Sequence, residues 1–398
     1  MVAVVRLAAA RGVPLTARGA GSSLEGNPIP VHGGIVLDCS RMRAVAVRPA
    51  DLQVDVQPGV VYADLNRALR PHGLFFPPSP GGSAAVATIG GMVANNASGL
   101  FSVKYGGTRD HVRAATVVTG DGRVLRLGNR ARKSASGYHL LGLVVGSEGT
   151  LAILTEVTLA LAGLPVARRR GGFAFPDTAA AARAVADTIR FGVDVAALEF
   201  LDVPTVRALN RFGGHALAER PCLLVEVHGG DAGVVEAWAA ATDVATGAGG
   251  TPLVLPGDDP WAIREQATRA VEASVPGAAT VRADLAIPIG ALPDLVARCE
   301  ALAREHAVAA HLFGHAGIGI LHLLVMAAGD AARATANGVR DAAVAHALAL
   351  GGSCSGEHGM GLGNRRYAAD EHGPALDVMR EVKRLFDPSG ILNPGKMW

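Results

Sequence analysis

One stretch constrains this chain more than any other: Pro77–Gly99, PPSPGGSAAVATIGGMVANNASG, which contains no Asp, Glu, Lys or Arg. Small residues let backbone approach a neighbour or a ligand closely, and glycine can take the positive φ that such approaches often need. After Thr88-Ile89, the pair Gly90-Gly91 leaves N–H groups able to face an anionic or polar group, as in a backbone nest. Taken by itself the stretch reads as a flexible Gly/Ala-rich loop. Two further glycine-bearing segments change that reading. Arg18-Gly19-Ala20-Gly21-Ser22-Ser23 precedes it and Gly146-Ser147-Glu148-Gly149-Thr150-Leu151 follows it, each interrupting a β-rich pattern.

With 398 residues the chain exceeds the size at which single cores stop growing, so two domains are expected. A net charge of +2 gives no footprint for nucleic acid, and Arg168-Arg169-Arg170 reads as a solvated linker. Cys39, Cys222, Cys299 and Cys354 have no CxxC spacing, so neither a disulfide framework, a zinc knuckle nor an iron–sulfur ligand set is expected. A reduced cytoplasmic compartment fits, with peripheral association at the inner face of a membrane left open. No window is apolar for long enough to be a transmembrane segment.

Helical spacing over Val2–Arg11 ends at Gly12-Val13-Pro14. Leu15–Arg18, Gly34–Leu37 and Ala44–Arg48 read as strands, and Gln53–Gln57 as a half-exposed one. Tyr62–His72 is a short amphipathic helix. Val112–Val118 and Gly122–Leu127 form a hairpin, and Leu141–Val145 and Leu151–Leu161 are buried elements. From Gly163-Leu164-Pro165 the composition changes. Strands at Gly172–Phe175, Ala196–Phe200, Cys222–His228, Val281–Ile289, Ala309–Phe313 and Ile320–Val325 alternate with helices at Thr178–Arg190, Leu292–His306 and Ala331–Leu350. This predicts an α+β sheet with helices on one face. A last helix is expected near Ala375–Phe386.

Several segments together resemble the FAD-linked oxidases of the vanillyl-alcohol oxidase / PCMH superfamily, and within them the D-lactate dehydrogenase / glycolate oxidase flavoprotein subunit group of D-2-hydroxyacid dehydrogenases. They are RGAGSSLEGN (18–27), GGIVLD (33–38), VQPGVVYADLNRALRPHGLFFPPSP (56–80), ATIGGMVANNASG (87–99), KYGGTRDHV (104–112), GYHLLGLVVGSEGTLAILTEVTL (137–159), SGEHGMG (355–361) and FDPSGILNPGKMW (386–398). GSEGTL and ATIGG at this separation, with the ILNPGK tail, form a specific signal.

The resemblance implies an α+β fold. A PCMH-type FAD-binding domain would span 1–163 and an α+β cap domain with an antiparallel sheet 164–350. A C-terminal segment, 351–398, would return to the FAD domain. Relatives carry several dozen residues before the point where Met1 falls, including a first strand, so the FAD domain reads as N-terminally short; losing that strand would leave backbone groups unpaired.

The resemblance places the FAD pyrophosphate on Arg18, Gly19, Ala20, Gly21 and Ser22. Ser79, Pro80, Thr88, Ile89, Gly90, Gly91 and Asn95 would line the flavin and ribityl region, with Ser98 and Gly99 close by. Glu148, Gly149 and Ile153 would approach the adenine-ribose side. No family-type histidine for covalent attachment is present, which implies non-covalent FAD. No strand–GxGxxG–helix pattern supports a nicotinamide cofactor.

For the chemistry, the resemblance implies a zinc or manganese ion on His315, His322 and Glu357, His358 as general base, and Arg264 and Arg282 on the substrate carboxylate. Arg282 stands where a Lys is usual, and a guanidinium grips a carboxylate with a different geometry. Relatives read HxGDGNxH where this chain reads HAGIGILH. Ile318, Ile320 and Leu324 thus replace polar residues, which removes support beside the metal. Both readings stand at this point: a metal site, or a loop and a strand histidine with ordinary hydrogen bonds. His311 is expected to be structural. The apolar replacements also fit a substrate more hydrophobic than lactate or glycolate.

Three functions remain in view. The first is oxidation of a D-2-hydroxy acid, with electrons passing to a quinone, a cytochrome, an electron-transfer flavoprotein or an iron–sulfur subunit. The second is an alkylglycerone-phosphate-synthase-like flavoenzyme, and the third a non-catalytic FAD-binding paralogue.

Overall fold

The computed structural model describes residues 1–255 and 260–398. The chain divides into two units. Unit 1 comprises residues 1–99, 105–164 and 357–398; unit 2 comprises residues 100–104 and 165–356.

In unit 1 the helix Val2–Arg11 closes on Gly12 in the left-handed region, the stop that the glycine requires. Strands β1 (Leu15–Arg18) and β2 (Ile35–Asp38) pair in parallel. The main sheet takes β3 (Val45–Arg48), β4 (Gln53–Val56), β6 (Val112–Thr119), β7 (Val124–Gly128) and β8 (Ala152–Ala160) in the order β3-β4-β8-β6-β7, antiparallel throughout. Short β5 (Leu74–Phe75) pairs with β9 (Ala162–Gly163). The core under this sheet gathers Val54, Val56, Leu65, Phe76, Ile89, Met92, Val157 and Leu159.

Strand β4 departs from expectation. All four of its residues are buried, polar Gln53 and Asp55 included. The alternation suggested one wet face. Instead Asp55 accepts from Thr158 Oγ1 at 2.7 Å and pairs with Arg48 and Arg130. Burial would raise its carboxyl, but these partners hold it below its ordinary value.

Unit 2 is built on one antiparallel sheet of seven strands. They are β10 (Ala167–Ala174), β11 (Val195–Leu201), β12 (Cys222–Gly229), β13 (Thr251–Pro252), β14 (Ala279–Ala286), β15 (Ala309–Gly314) and β16 (Ile320–Ala327), in the order β13-β10-β12-β11-β15-β16-β14. Arg168, Arg169 and Arg170 lie inside β10 and do not form a linker. The pleat separates them: Arg169 lies over the Trp238 ring at 4.6 Å, and Arg170 pairs with buried Glu226 at 3.0 Å. Three helices escaped the sequence reading: Val203–Gly213, Asp231–Gly247 and Pro260–Ser274. The first carries a start signal, since Asp202 caps Thr205 N at 2.8 Å and a proline stands in the first turn. Among the described residues no helix is long and apolar enough to cross a membrane.

His311, on β15, is buried beside Ser274, and burial pushes its imidazole down to about 4. The folded state keeps it neutral while the unfolded chain takes up a proton near the ordinary histidine value. Its contribution is therefore fully present above about pH 6.5 and lost as pH falls toward 4, on the order of 3 kcal/mol in all. Urea midpoints of wild type and His311→Gln against pH should converge as acid is added; parallel profiles would show that His311 does not drive the loss.

Candidate functional site

Each unit carries a distinct cluster of the expected residues. In unit 1, the turn after β1 is the first of three. A Cβ on Gly19 would collide with Thr88 Oγ1, and one on Gly21 (φ +75°) would lie 2.9 Å from the Arg18 guanidinium. Arg18–Ser22 thus folds round its own arginine and leans on Thr88. Thr88 caps the helix Ile89–Asn95, its Oγ1 accepting from Gly91 N at 3.4 Å. The two glycines there have different duties. Gly90 is pressed on Pro58, donating to its carbonyl at 2.9 Å, and has no room for a side chain. Gly91 is exposed, and the nearest atom its Cβ would meet is Thr88 Oγ1 at 3.4 Å. Its bare backbone faces outward.

The third turn docks on the same helix. Gly146 N donates to Val93 O at 3.0 Å and Glu148 N to Ala94 O at 2.7 Å. Glu148 adopts φ +54°, a strained choice for a side-chain-bearing residue. Its buried carboxylate accepts from Met360 N at 2.6 Å and Gly361 N at 2.9 Å, while burial pushes the carboxyl up. Asn393 of the ILNPGK tail donates to Asn27 O at 3.0 Å and Glu148 O at 2.7 Å, tying the region after the first turn to the third. The three turns therefore converge within unit 1.

The remaining expected cofactor residues fall around them. A Cβ on Gly99 would collide with the Ser79 carbonyl beside Pro80. Asn95 Nδ2 donates to Glu357 O at 2.7 Å, and Ser98 Oγ to Glu357 Oε2 at 3.0 Å. Gly359, at φ +85°, passes so close that its Cβ would sit 2.6 Å from both Asn95 Oδ1 and Glu148 Oε1. His358, half-buried, is held between these two anchored neighbours. Gly149 (φ +72°) completes the third turn. Ile153 is different: its side chain is buried in a core with Val5, Leu15, Val118 and Leu392, so any ligand contact would come from its backbone.

This arrangement fits an FAD phosphate chain. The nest expected at Gly90-Gly91 is not open, because those N–H groups go to Pro58 O and Thr88 Oγ1; the fit rests on small residues and on residues 18–23 and 77–99 carrying no carboxylate to repel an anion.

In unit 2, β15 and β16 form a hairpin closed by a tight turn at Ala316–Ile318 and by Gly319 at φ +73°. His315 stands at the turn and His322 on β16, with ring centroids 5.4 Å apart and planes at 89°. Both are buried. His315 Nδ1 is hydrogen-bonded to Glu199 Oε1 of β11 at 2.8 Å, while His322 Nδ1 lies 3.2 Å from Asp284 Oδ1 of β14 with no hydrogen bond between those two atoms. A carboxylate only accepts, so at His315 the hydrogen belongs on Nδ1 and the lone pair on Nε2, as in carboxylate–histidine–metal triads. The other oxygen of Glu199 accepts from Arg264 Nε at 2.7 Å, and that guanidinium lies over Phe313 at 4.9 Å. Burial would push Glu199 up; His315 and Arg264 outweigh it and hold the carboxyl below its ordinary value. The donor set suits a borderline divalent cation.

Arg264, His315 and His322 are thus brought together. Arg282 pairs with Glu272 and is half-buried on β14, two residues from Asp284. Ser355 Oγ donates to Asp284 at 3.2 Å and Gly356 N to the Asp284 carbonyl at 3.0 Å, after which the chain continues directly into Glu357 and His358. Ile320 and Leu324 are buried, and Ile320 lies where a side chain on Gly356 would fall. Whatever Ile318, Ile320 and Leu324 remove, His315 keeps a hydrogen-bond partner on Nδ1 from β11, whereas His322 Nδ1 makes no hydrogen bond to Asp284 Oδ1. Sequence reasoning missed Glu199 and Asp284. The available signal was a lone acid inside each of the strands VAALEFL and ATVRADLA, since carboxylates are almost never buried unpaired.

Glycine turns thus converge in one unit, and a buried histidine pair beside two buried carboxylates lies in the other. Residues 1–128 match the FAD binding domain family, and residues 164–397 match the family described as FAD linked oxidases, C-terminal domain. The chain belongs to the FAD-linked oxidase family. It is 35% identical over 395 residues to the mitochondrial D-lactate dehydrogenase [cytochrome] of Arabidopsis thaliana, covering 97% of this chain and 69% of that one. It is 33% identical over 401 residues to the glycolate oxidase subunit GlcD of Bacillus subtilis (strain 168), covering 97% and 84%. Among solved structures, p-cresol methylhydroxylase with substrate bound superposes with a TM-score of 0.80 at 16% identity, covering all of this chain and 86% of that one. An alkyldihydroxyacetonephosphate synthase gives 0.77 at 20%, covering 99% and 75%. At these identities the two structures share the fold: helices with antiparallel sheets, of the PCMH type.

Proposed function

We propose that this protein oxidises a small D-2-hydroxy acid, lactate, glycolate or a more hydrophobic analogue, to the 2-oxo acid. The observation that carries the reading is the buried histidine pair of unit 2, with His315 Nδ1 and Arg264 held on the two oxygens of buried Glu199 and His322 beside buried Asp284. The names of the relatives, D-lactate dehydrogenase and glycolate oxidase subunit, support it. FAD, bound non-covalently, would supply a hydride acceptor, and a zinc or manganese ion would supply Lewis acidity. Arg18–Ser22 and the Thr88–Gly91 segment hold the cofactor, with Ser79, Pro80, Asn95, Ser98, Gly99, Glu148, Gly149 and Ile153 around it. His315, His322 and Glu357 hold the cation. Arg264 and Arg282 bind the substrate carboxylate, and His358 takes the hydroxyl proton. The electrons leave for an external acceptor, a quinone, a cytochrome, an electron-transfer flavoprotein or an iron–sulfur subunit. The reaction is placed in the cytoplasm or at the inner face of its membrane.

The test is anaerobic. Purified protein should be yellow, and one or more D-2-hydroxy acids from a panel of both hands should bleach its visible flavin band. His322→Ala should keep its FAD and lose its metal by elemental analysis. Yellow protein that no hydroxy acid bleaches would defeat the proposal and favour a non-catalytic FAD-binding role.

A further inference from the structure

Glu199 is fully buried and has a different donor on each oxygen. We propose that Glu199 is a positioning residue, one carboxylate that sets the tautomer of His315 and the aim of Arg264 together. The proposal deepens, and for its substrate arm rests on, the function proposed above.

The number of acceptors at Glu199 decides both roles. Arg264 donates at every nitrogen and cannot accept. With its Nε spent on Glu199 Oε2, the guanidinium plane is fixed on one side by the carboxylate and on its face by Phe313. The edge carrying both Nη groups is then the edge that a substrate carboxylate can take in a fork. At the other oxygen, His315 Nδ1 must donate, which places its lone pair on Nε2. Only a side chain that accepts at both ends serves both partners. Glutamine, nearly the same size, accepts at one end and donates at the other. Its oxygen must face Arg264, so its NH2 faces His315 Nδ1, which must then accept, and the hydrogen moves to Nε2.

A purely structural ion pair predicts something else. Buried pairs add little net stability because desolvation offsets attraction, so apolar isosteres are often tolerated. Glu199→Gln instead breaks one side of the pair, so a purely structural Glu199 would make the variant less stable, through Arg264 losing its buried counter-charge, without moving the hydrogen of His315.

The experiment uses full-length FAD-loaded protein labelled with 15N-histidine, with the His315 signals assigned by their loss in His315→Gln. Wild type should show hydrogen on Nδ1 of His315, and Glu199→Gln should show it on Nε2. Zn2+ titrated into EDTA-stripped protein should bind about 10–100-fold more weakly to Glu199→Gln. Glu199→Asp, which keeps two acceptors on a shorter stem, should restore the Nδ1–H tautomer while raising KM for whichever hydroxy acid bleaches wild type. Hydrogen on Nε2 in wild type, which needs no variant to fold, would overturn the proposal, as would wild-type Zn2+ affinity in Glu199→Gln. A tautomer that flips as expected in a protein that no hydroxy acid bleaches would support the positioning role and defeat the proposed reaction.

Discussion

His358→Ala protein is expected to purify as yellow as wild type and to stay yellow when an effective hydroxy acid is added without air, its flavin reduced about 10²–10⁴-fold more slowly. His315 gives Nδ1–H to buried Glu199, and His322 Nδ1 lies 3.2 Å from buried Asp284; both are the histidines proposed to hold a cation. The Glu357 carboxylate receives Ser98 Oγ. Glu199 is committed to His315, and Asp284 accepts from Ser355. His358 is the imidazole whose backbone neighbours are both pinned: Glu357 by Asn95, and Gly359 by the narrow passage between Asn95 and Glu148. A proton acceptor needs that fixed placement more than it needs burial. FAD should remain because none of the three cofactor turns includes residue 358. Added imidazole should restore part of the reduction rate. Reduction at the wild-type rate in the alanine variant would remove His358 as the base and leave the rest of the site standing.

The parts legible in the sequence are those where backbone geometry is written in residue type. Gly12 stops a helix, Gly90 and Gly99 allow close passage, and Asp-Gly at 121–122 turns a hairpin. Such positions tolerate few residues, so a one-dimensional reading finds them. The ILNPGK tail was recognisable as a motif, although its work, Asn393 bridging two turns, was not. What stayed hidden depends on strand neighbours. Glu199 and His315 are 116 residues apart, and Asp284 faces His322 only because β14 and β16 pair in that register. Nothing local to a strand says which strand lies beside it. The three arginines of β10 fail for a related reason. A charge run looks like a solvated loop unless a partner strand offers Glu226 and a nearby helix offers Trp238.

The second large effect is expected at Glu148, whose carboxylate is buried. Its removal acts through two backbone donors. Glu148→Ala leaves Met360 N and Gly361 N without their acceptor in a buried place, at about 1–3 kcal/mol each. Those donors hold the loop that carries Glu357 and His358, so the same change should loosen FAD and slow any reduction that remains. Strain separates this from a mere volume effect. Residue 148 sits at φ +54°, where alanine is no more comfortable than glutamate and glycine is free of cost. Glu148→Gly should therefore recover about 1 kcal/mol over Glu148→Ala in urea unfolding, yet recover none of the lost FAD affinity, because the missing acceptor is common to both. Glu148→Gln keeps one acceptor and turns a donor toward the other N–H, so it should fall between wild type and alanine. FAD retained by Glu148→Ala with wild-type affinity and an unchanged urea midpoint would mean that the third turn closes without its carboxylate, and that the convergence of the turns is held by backbone and Asn393.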